Sequence, residues 1–378
     1  MLSLSPEQEL LVSSLEELAE REFAEKAFSW DGEPPWENVE LLADRGFLGV
    51  NFPEEYGGEG MTEFDAMLTI EAVGRICPDT AEYLYNQQMV APRAIEMLAT
   101  EAAKERYLPP VIDGEGSVAI GISEPEAGSD VAAMNTTVSE VDGELYVDGE
   151  KTWVSNVEHS RAVLVWARFP EGLGSVIVEF DWDGVEIQQH YENMAGHHQT
   201  HFVMEEVHVP AENVVTRGGD GFKRQLQALN WERLGSATLA NAIARCALEK
   251  AVEYAGDRRQ FDQPIGEFQG IEWKLADAAT RLEAARSLTH RAAIRANEGG
   301  QPPGRMDAAM AKLYASETAE RVVSEALQIH GANGYQRGHP LEYLYRAVRG
   351  RRLAAGTDEI QKNQIAAALK REGLPTLG

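Results

Sequence analysis

The hydrophobic period of the chain changes twice, and this limits the possible folds more than any other feature. From Ser5 to about Val111 it is helical: Ser5, Pro6 and Gln8 form a capping-box start with proline at the first helical position, and Leu10, Leu11, Leu15 and Leu18 mark one face. "ENVELLADRGF" continues in this style, "NFPEEYGGEGM" reads as a Gly/Pro loop, and Thr62 to Cys77 is helical again. From about Ser117 to Val215 the period is that of strands. Val118, Ile120 and Ile122 alternate, Asp142-Gly143 and Asp148-Gly149 read as hairpin turns, and "RAVLVWARF", "SVIVEF" and "HFVMEEVHV" follow before Pro210. From about Gly221 the chain is helical to its end. Phe268, Ile271, Leu275, Ala278, Leu282 and Ala285 step by three and four, as a bundle seam does, and Gly331 stops the next helix.

This layout predicts an α+β protein of three domains: helical over 1–115, antiparallel β over 116–216, and a helical bundle over 217–378. Its 378 residues, 43% hydrophobic, suffice to fill such cores. The net charge of −28 argues against nucleic acid and anionic membranes as partners. It fits either an ordinary soluble protein or one adapted to a salty cytoplasm, where screening relieves self-repulsion. No apolar run approaches the ~20 residues of a membrane span, so no membrane insertion is expected. "MLSLSPEQELL" lacks the marks of a secretory signal, and Cys77 and Cys246 read as small buried residues of a cytoplasmic protein.

Several segments invite chemistry. His197, His198 and His201 admit a metal site, but no carboxylate or cysteine partner is placed by spacing, and a polar turn is the simpler reading; no metal is expected. "ISEPEAGSD" ends a strand at Ser123 and offers hydroxyls at Ser123 and Ser129 in a Pro/Gly loop. "KTWVSN" sets the aromatic plane of Trp153 beside Ser155, which is either core packing or a platform for a flat heterocycle. "DRRQFDQPIGEFQ" places arginines next to a helix start, suited to a diphosphate.

Taken in order, "LLADRGFLGVNFPEEYGGEGM", "KERYLPPV", "ISEPEAGSD", "KTWVSN", "FVMEEVHVPAENVV", "DRRQFDQPIGEFQ", "QIHGANGY" and "AGTDEIQ" resemble the acyl-CoA dehydrogenase family over nearly the whole chain. The resemblance implies an N-terminal helical domain, a middle β domain and a C-terminal four-helix bundle. It implies FAD as cofactor, an acyl-CoA substrate, a homotetramer or dimer, and an electron-transferring flavoprotein as partner. Carried over by position, Ile120, Ile122, Ser123 and Ser129 would line the flavin, with Ser129 also touching the CoA ester. Trp153 and Ser155 would flank the ring system. Arg258, Gln260, Phe268 and Gln269 would hold phosphate and adenosine groups, partly from an adjoining subunit. Gln328, Gly331 and Ala332 would approach the diphosphate, Thr357 and Glu359 the FAD, Gly356 the substrate, and Asn230 and Arg233 the CoA.

The chain departs from the family at the catalytic carboxylate. In many relatives the residue before this Gly-Thr is the glutamate base; here it is Ala355. Its backbone N–H, which would polarise the thioester, survives that change. In isovaleryl- and long-chain-type relatives the base is instead a Glu immediately before an Arg on a bundle helix, and "LNWERLG" supplies Glu232-Arg233. Glu232 is therefore the expected base, with Glu359 as the lesser alternative. Asp262 stands where relatives have glycine, and Ala347 where an aspartate follows the arginine. Arg346, Arg349, Arg351 and Arg352 are read as a solvated basic face. Reduction of an enoyl-CoA, another elimination on an acyl thioester, and an inactive flavin-binding scaffold remain the alternatives to dehydrogenation.

Overall fold

The computed structural model describes residues 4–30 and 32–374; the outermost ends of the first and third expected domains, 1–3 and 375–378, lie outside the described residues. The helices α1 Pro6–Leu18, α2 Trp36–Ala43, α3 Glu63–Gly74, α4 Pro78–Met89, α5 Ala91–Leu98 and α6 Glu101–Ile112 come first. Eight strands follow: β1 Ser117–Gly121, β2 Thr137–Val141, β3 Glu144–Ser155, β4 Ser160–Phe169, β5 Gly172–Glu179, β6 Val185–Glu192, β7 His198–Val209 and β8 Val214–Thr216. The long helix α7 Gly221–Asp257 leads through a short hairpin, β9 Arg259–Gln260 and β10 Gln263–Pro264, to α8 Gln269–Gly299, α9 Arg305–His330, α10 Pro340–Gly350 and α11 Asp358–Glu372. The N-terminal segment is thus helical, the middle one β and the C-terminal one helical. No helix among the described residues is long and apolar enough to cross a membrane.

Local chemistry explains the boundaries. The capping box at α1 is formed: the Ser5 hydroxyl accepts from Gln8 N–H at 3.2 Å, and the Gln8 side chain accepts from Ser5 N–H at 3.0 Å. Asp142 and Gly143, both at positive φ, make the two-residue turn between β2 and β3. Asp148-Gly149 is not a turn, contrary to expectation. It lies inside β3, where the register against β7 shifts, and a Cβ at Gly149 would meet Thr136 Cα at 2.6 Å. Glycine there serves a close approach rather than a reversal.

By contacts the chain divides into two compact units. One comprises Trp36–Ala66 and Asn86–Leu229 and contains the sheet, ordered β6-β7-β3-β2-β4-β5-β8. Most pairs are antiparallel, but β1 and β2 each pair with β4 in parallel. β4 is buried on both faces: Ala162 and Leu164 pack with Ile95, Tyr107 and Leu108 of α5 and α6, while Val163 and Val165 pack with Val147 and Phe202. Double burial is why its sequence is a continuous apolar run instead of an alternation.

The other unit comprises Met1–Pro35, Met67–Tyr85 and Asn230–Gly378. Of the expected seam on α8, Ala278, Leu282 and Ala285 are buried, and Phe268, Ile271 and Leu275 are half-buried. Glu71 of α3 accepts from Arg286 at 3.0 Å and pairs with His290 at 2.8 Å, both on α8. Burial alone would raise its carboxyl, but the interactions with His290 and Arg286 outweigh it and hold the group down at about 2. The basic run of Arg346 and Arg349 on α10 with Arg351 and Arg352 just beyond it is not a solvated face throughout: Arg351 is only 12% exposed and binds Glu82 of α4 at 2.6 Å.

Candidate active site

In this second unit a carboxylate stands without a hydrogen bond. Glu232 lies on α7, 8% exposed, with no hydrogen-bond partner among the described residues. Burial pushes its carboxyl up to about 7, although Arg233, Arg351 and Lys312 pull in the opposite direction. Tyr85, also buried, feels the Glu232 charge. Beside Glu232 on the helix, the Arg233 guanidinium donates to Asn230 Oδ1 at 2.8 Å and to the Ala355 carbonyl at 3.3 Å. The Asn230 amide in turn donates to Pro303 O at 2.9 Å. Arg233, Asn230 and the Ala355 turn are therefore one hydrogen-bonded assembly with Glu232 next to it.

The turn itself is unusual. Ala355 (φ 54°) and Gly356 (φ 90°) are both left-handed, a conformation that costs an alanine roughly 1–2 kcal/mol. A Cβ on Gly356 would lie 2.9 Å from the Gln361 amide nitrogen and displace that side chain, and at this φ any side chain is strained. Neither residue's N–H finds a backbone acceptor among the described residues. Thr357 caps α11, its hydroxyl accepting from Ile360 N–H at 3.3 Å. Glu359 is exposed, and the hydrogen bond from its own backbone N–H holds its carboxyl below the usual range. Of the two candidate bases, only Glu232 has a pKa raised toward neutrality.

A pH dependence of stability follows. Glu232 titrates at about 7 folded against 4.5 unfolded, so between these values the folded state holds the extra proton. Ionised Glu232 therefore costs stability above pH 7, by about 3 kcal/mol, and nothing below pH 4.5. Glu232→Gln should raise the unfolding free energy at pH 8, with a clearly smaller gain at pH 5.5. Denaturant melts of both proteins at the two pH values check this; a gain equal at both contradicts it.

The sheet unit carries the flavin-facing candidates. The Ser123 carbonyl accepts from Thr152 N–H at 3.0 Å, which ties the "ISEPEAGSD" loop to the "KTWVSN" strand. Ile120, Ile122 and Ser123 are half-buried, and Ser129 and Ser155 exposed. Trp153 is 53% exposed on a strand, at φ 60°, where the β3–β7 register slips. It is not core packing. Its ring lies against that of Tyr191, centroids 4.9 Å apart. An exposed indole beside free hydroxyls suits the flat, acceptor-rich ring system of FAD. Sequence reasoning missed what holds this loop: Lys151 is fully buried and donates to Glu124 at 2.8 Å and to Ile122 O at 3.2 Å. Glu124 also accepts from the Asn135 and Thr136 N–H groups, at 2.6 and 3.0 Å. The nearby histidines pair with separate carboxylates, His198 with Glu158 and His201 with Glu150, each at 2.7 Å.

The remaining candidates stand apart from Glu232. Arg258 and Gln260 are exposed at the far end of α7, roughly 37 Å along the helix axis from Glu232 at 1.5 Å per residue. Phe268 is half-buried and Gln269 exposed at the start of α8. The hairpin between them turns at Phe261 and Asp262, both left-handed, and aspartate tolerates that conformation where relatives use glycine. Gln328, Gly331 and Ala332 are exposed at the end of α9, with Gly331 at φ 58°.

A helical–β–helical chain with a buried carboxylate near neutrality and an open indole platform has the parts of an acyl-thioester oxidoreductase. Three family profiles match in order: acyl-CoA dehydrogenase N-terminal domain over 5–115, middle domain over 119–207 and C-terminal domain over 219–370. The chain is 34% identical over 376 residues to a probable acyl-CoA dehydrogenase of Bacillus subtilis (strain 168), covering 97% of this chain and 98% of that one. It is 35% identical over 375 residues to an acryloyl-CoA reductase (NADH) of Anaerotignum propionicum, covering 96% and 94%. The butyryl-CoA dehydrogenase structure from Megasphaera elsdenii superposes with a TM-score of 0.91 at 32% identity, over 98% of this chain and 100% of that one. The protein belongs to the acyl-CoA dehydrogenase family, a family of FAD-dependent oxidoreductases acting on acyl-CoA thioesters.

Proposed function

We propose that the protein oxidises an acyl-CoA to the trans-2-enoyl-CoA, with Glu232 as the base that removes the α-proton. The observation that carries this is the buried carboxylate at about 7 beside a turn with two N–H groups, all without a hydrogen-bond partner among the described residues. An α-proton next to a thioester is a weak acid. It needs donors at the carbonyl oxygen, where charge develops, and a base whose pKa is near the working pH. Ala355 and Gly356 offer the donors and Glu232 the base. FAD, when bound, supplies the acceptor for the hydride leaving Cβ. Ile120, Ile122, Ser123, Ser129, Trp153 and Ser155 would hold its ring end, and Thr357 and Glu359 would contact it from the start of α11. Asn230 and Arg233 would meet CoA.

Arg258, Gln260, Phe268, Gln269, Gln328, Gly331 and Ala332 would serve the adenosine and diphosphate. Their distance from Glu232 supports a second subunit's site as the one they complete, hence a homotetramer or dimer. The working division is 1–115, 116–216 and 217–378. An electron-transferring flavoprotein in the cytoplasm, in fatty-acid metabolism, fits as the route out for the electrons.

The reductase name of one relative favours a second direction for the same site. A carboxyl at about 7 is half protonated at neutral pH and returns its proton to Cα as readily as it takes one. Anaerobic mixing of the purified yellow protein with straight, branched and aromatic acyl-CoAs tests the reading. Bleaching by at least one saturated acyl-CoA is expected. Failure of the whole panel to bleach it, with enoyl-CoAs also failing to reoxidise the reduced protein, contradicts both directions.

A further inference from the structure

Three buried side chains from three helices hold the carbonyls of the 354–357 turn. Arg233 of α7 donates to Ala355 O at 3.3 Å; Gln361 of α11 donates to Ala355 O at 3.1 Å and to Gly356 O at 2.9 Å; Lys312 of α9 donates to Gly356 O at 2.9 Å. Lys312 is the anomaly. It is wholly buried on a stripe of buried alanines, Ala308, Ala309, Ala311 and Ala315. Burying an ammonium there is costly, and burial brings it down to about 8, with Asp358 opposing and Arg351, Arg233 and Arg352 reinforcing the drop. Neutralising Asp358 does not account for it, because Asp358 already pairs with Arg352 at 2.5 Å. What its ammonium does reach is the Gly356 carbonyl.

Two successive carbonyls drawn to one side of a left-handed turn leave the N–H groups of the same residues facing away, and successive backbone N–H groups in such a turn form a concavity for negative charge. We propose that Lys312, with Gln361, is a positioning clamp: it fixes the Ala355-Gly356 turn so that its free N–H groups stay directed at the thioester oxygen of the substrate. Arg233 and Gln361 hold the first carbonyl of the turn, and Lys312 and Gln361 hold the second. The clamp matters more here than it would with glycine at both positions, since Ala355 must be kept in a conformation it disfavours. This rests on reading the turn as the thioester-oxygen site.

The test uses the FAD-loaded protein and an acyl-CoA with sulfur in place of Cβ and a ¹³C-labelled thioester carbonyl, which binds but cannot be oxidised. In the parent, binding should lower the carbonyl stretching frequency. In Lys312→Met, and in Gln361→Leu, the lowering should shrink toward the free value, and flavin reduction by a true substrate should slow roughly 10- to 100-fold, with analogue affinity little changed. A folded Lys312→Met or Gln361→Leu with the parental frequency overturns the clamp. A parent with no frequency change overturns the oxygen site and the clamp together. The frequencies are compared in the Glu232→Gln background, where the analogue keeps its α-protons, so they report the turn alone and a failure of Glu232 as base is separately recognisable.

Discussion

Glu232→Gln should bind FAD and acyl-CoA as the parent does, yet reduce its flavin more slowly by ~10²–10⁴ or more, the usual cost of losing a positioned acid–base group. The amide is nearly isosteric and cannot accept the α-proton. No hydrogen bond is lost, because Glu232 makes none among the described residues. Folding should not suffer, and at pH 8 should gain. A variant that is more stable and nearly inactive is a combination that a purely structural glutamate does not give. Stopped-flow flavin reduction under anaerobic conditions reads the rate. In the parent the rate should rise with pH through a midpoint near 7, where the carboxyl titrates, and this midpoint should be absent from the residual rate of the variant. A glutamate restored at Ala355 in the Glu232→Gln background reaches toward the same α-carbon from the turn, and some recovery of rate is expected.

Lys151→Met should destabilise the sheet unit by ~3–5 kcal/mol, the usual result of removing one partner of a buried ion pair. Lys151 is wholly buried, and the Glu124 side chain only 3% exposed. Without the ammonium, Glu124 keeps its two backbone donors at Asn135 and Thr136 but loses its counter-charge. Its lowered carboxyl, opposed by burial and sustained first by Lys151, should move up. The effect reaches function because Lys151 also holds Ile122 O, one residue before Ser123. Denaturant unfolding reads the stability, and flavin retained after gel filtration reads the loop. A loss below about 1 kcal/mol contradicts the assignment.

Features set by neighbours in sequence were readable without coordinates. The capping box at Ser5, the Asp142-Gly143 turn, the stop at Gly331 and the two changes of period are all local, because backbone preference and short-range hydrogen bonds decide them. Asp148-Gly149 misled because the same dipeptide serves a turn or a close approach, and only Thr136, the residue before β2, distinguishes the two. The candidate site divided along the same line. As candidates, Glu232 is legible through its arginine neighbour and Ala355 through the Gly-Thr that follows it. The residues that hold the site are not, since their partners are remote: Lys312 meets Gly356 44 residues on, Lys151 meets Glu124 27 residues back, and Arg351 meets Glu82 269 residues back. The one available signal was a charged residue at a position whose periodicity demands an apolar one, as with Lys312 among alanines. Arg351, read as part of a basic surface, failed for the same reason: the acid that buries it lies on α4.

The most direct measurement isolates proton removal from everything that follows it. An acyl-CoA with sulfur at the β-position has acidic α-protons and no hydride to give. Incubated in heavy water with the FAD-loaded protein, it should gain deuterium at the α-carbon, measured by mass spectrometry. With Glu232→Gln, at equal occupancy of the analogue, exchange should fall by the same ~10²–10⁴ as flavin reduction. Exchange at the parental rate in Glu232→Gln would contradict the account, because some other group would then be taking the α-proton.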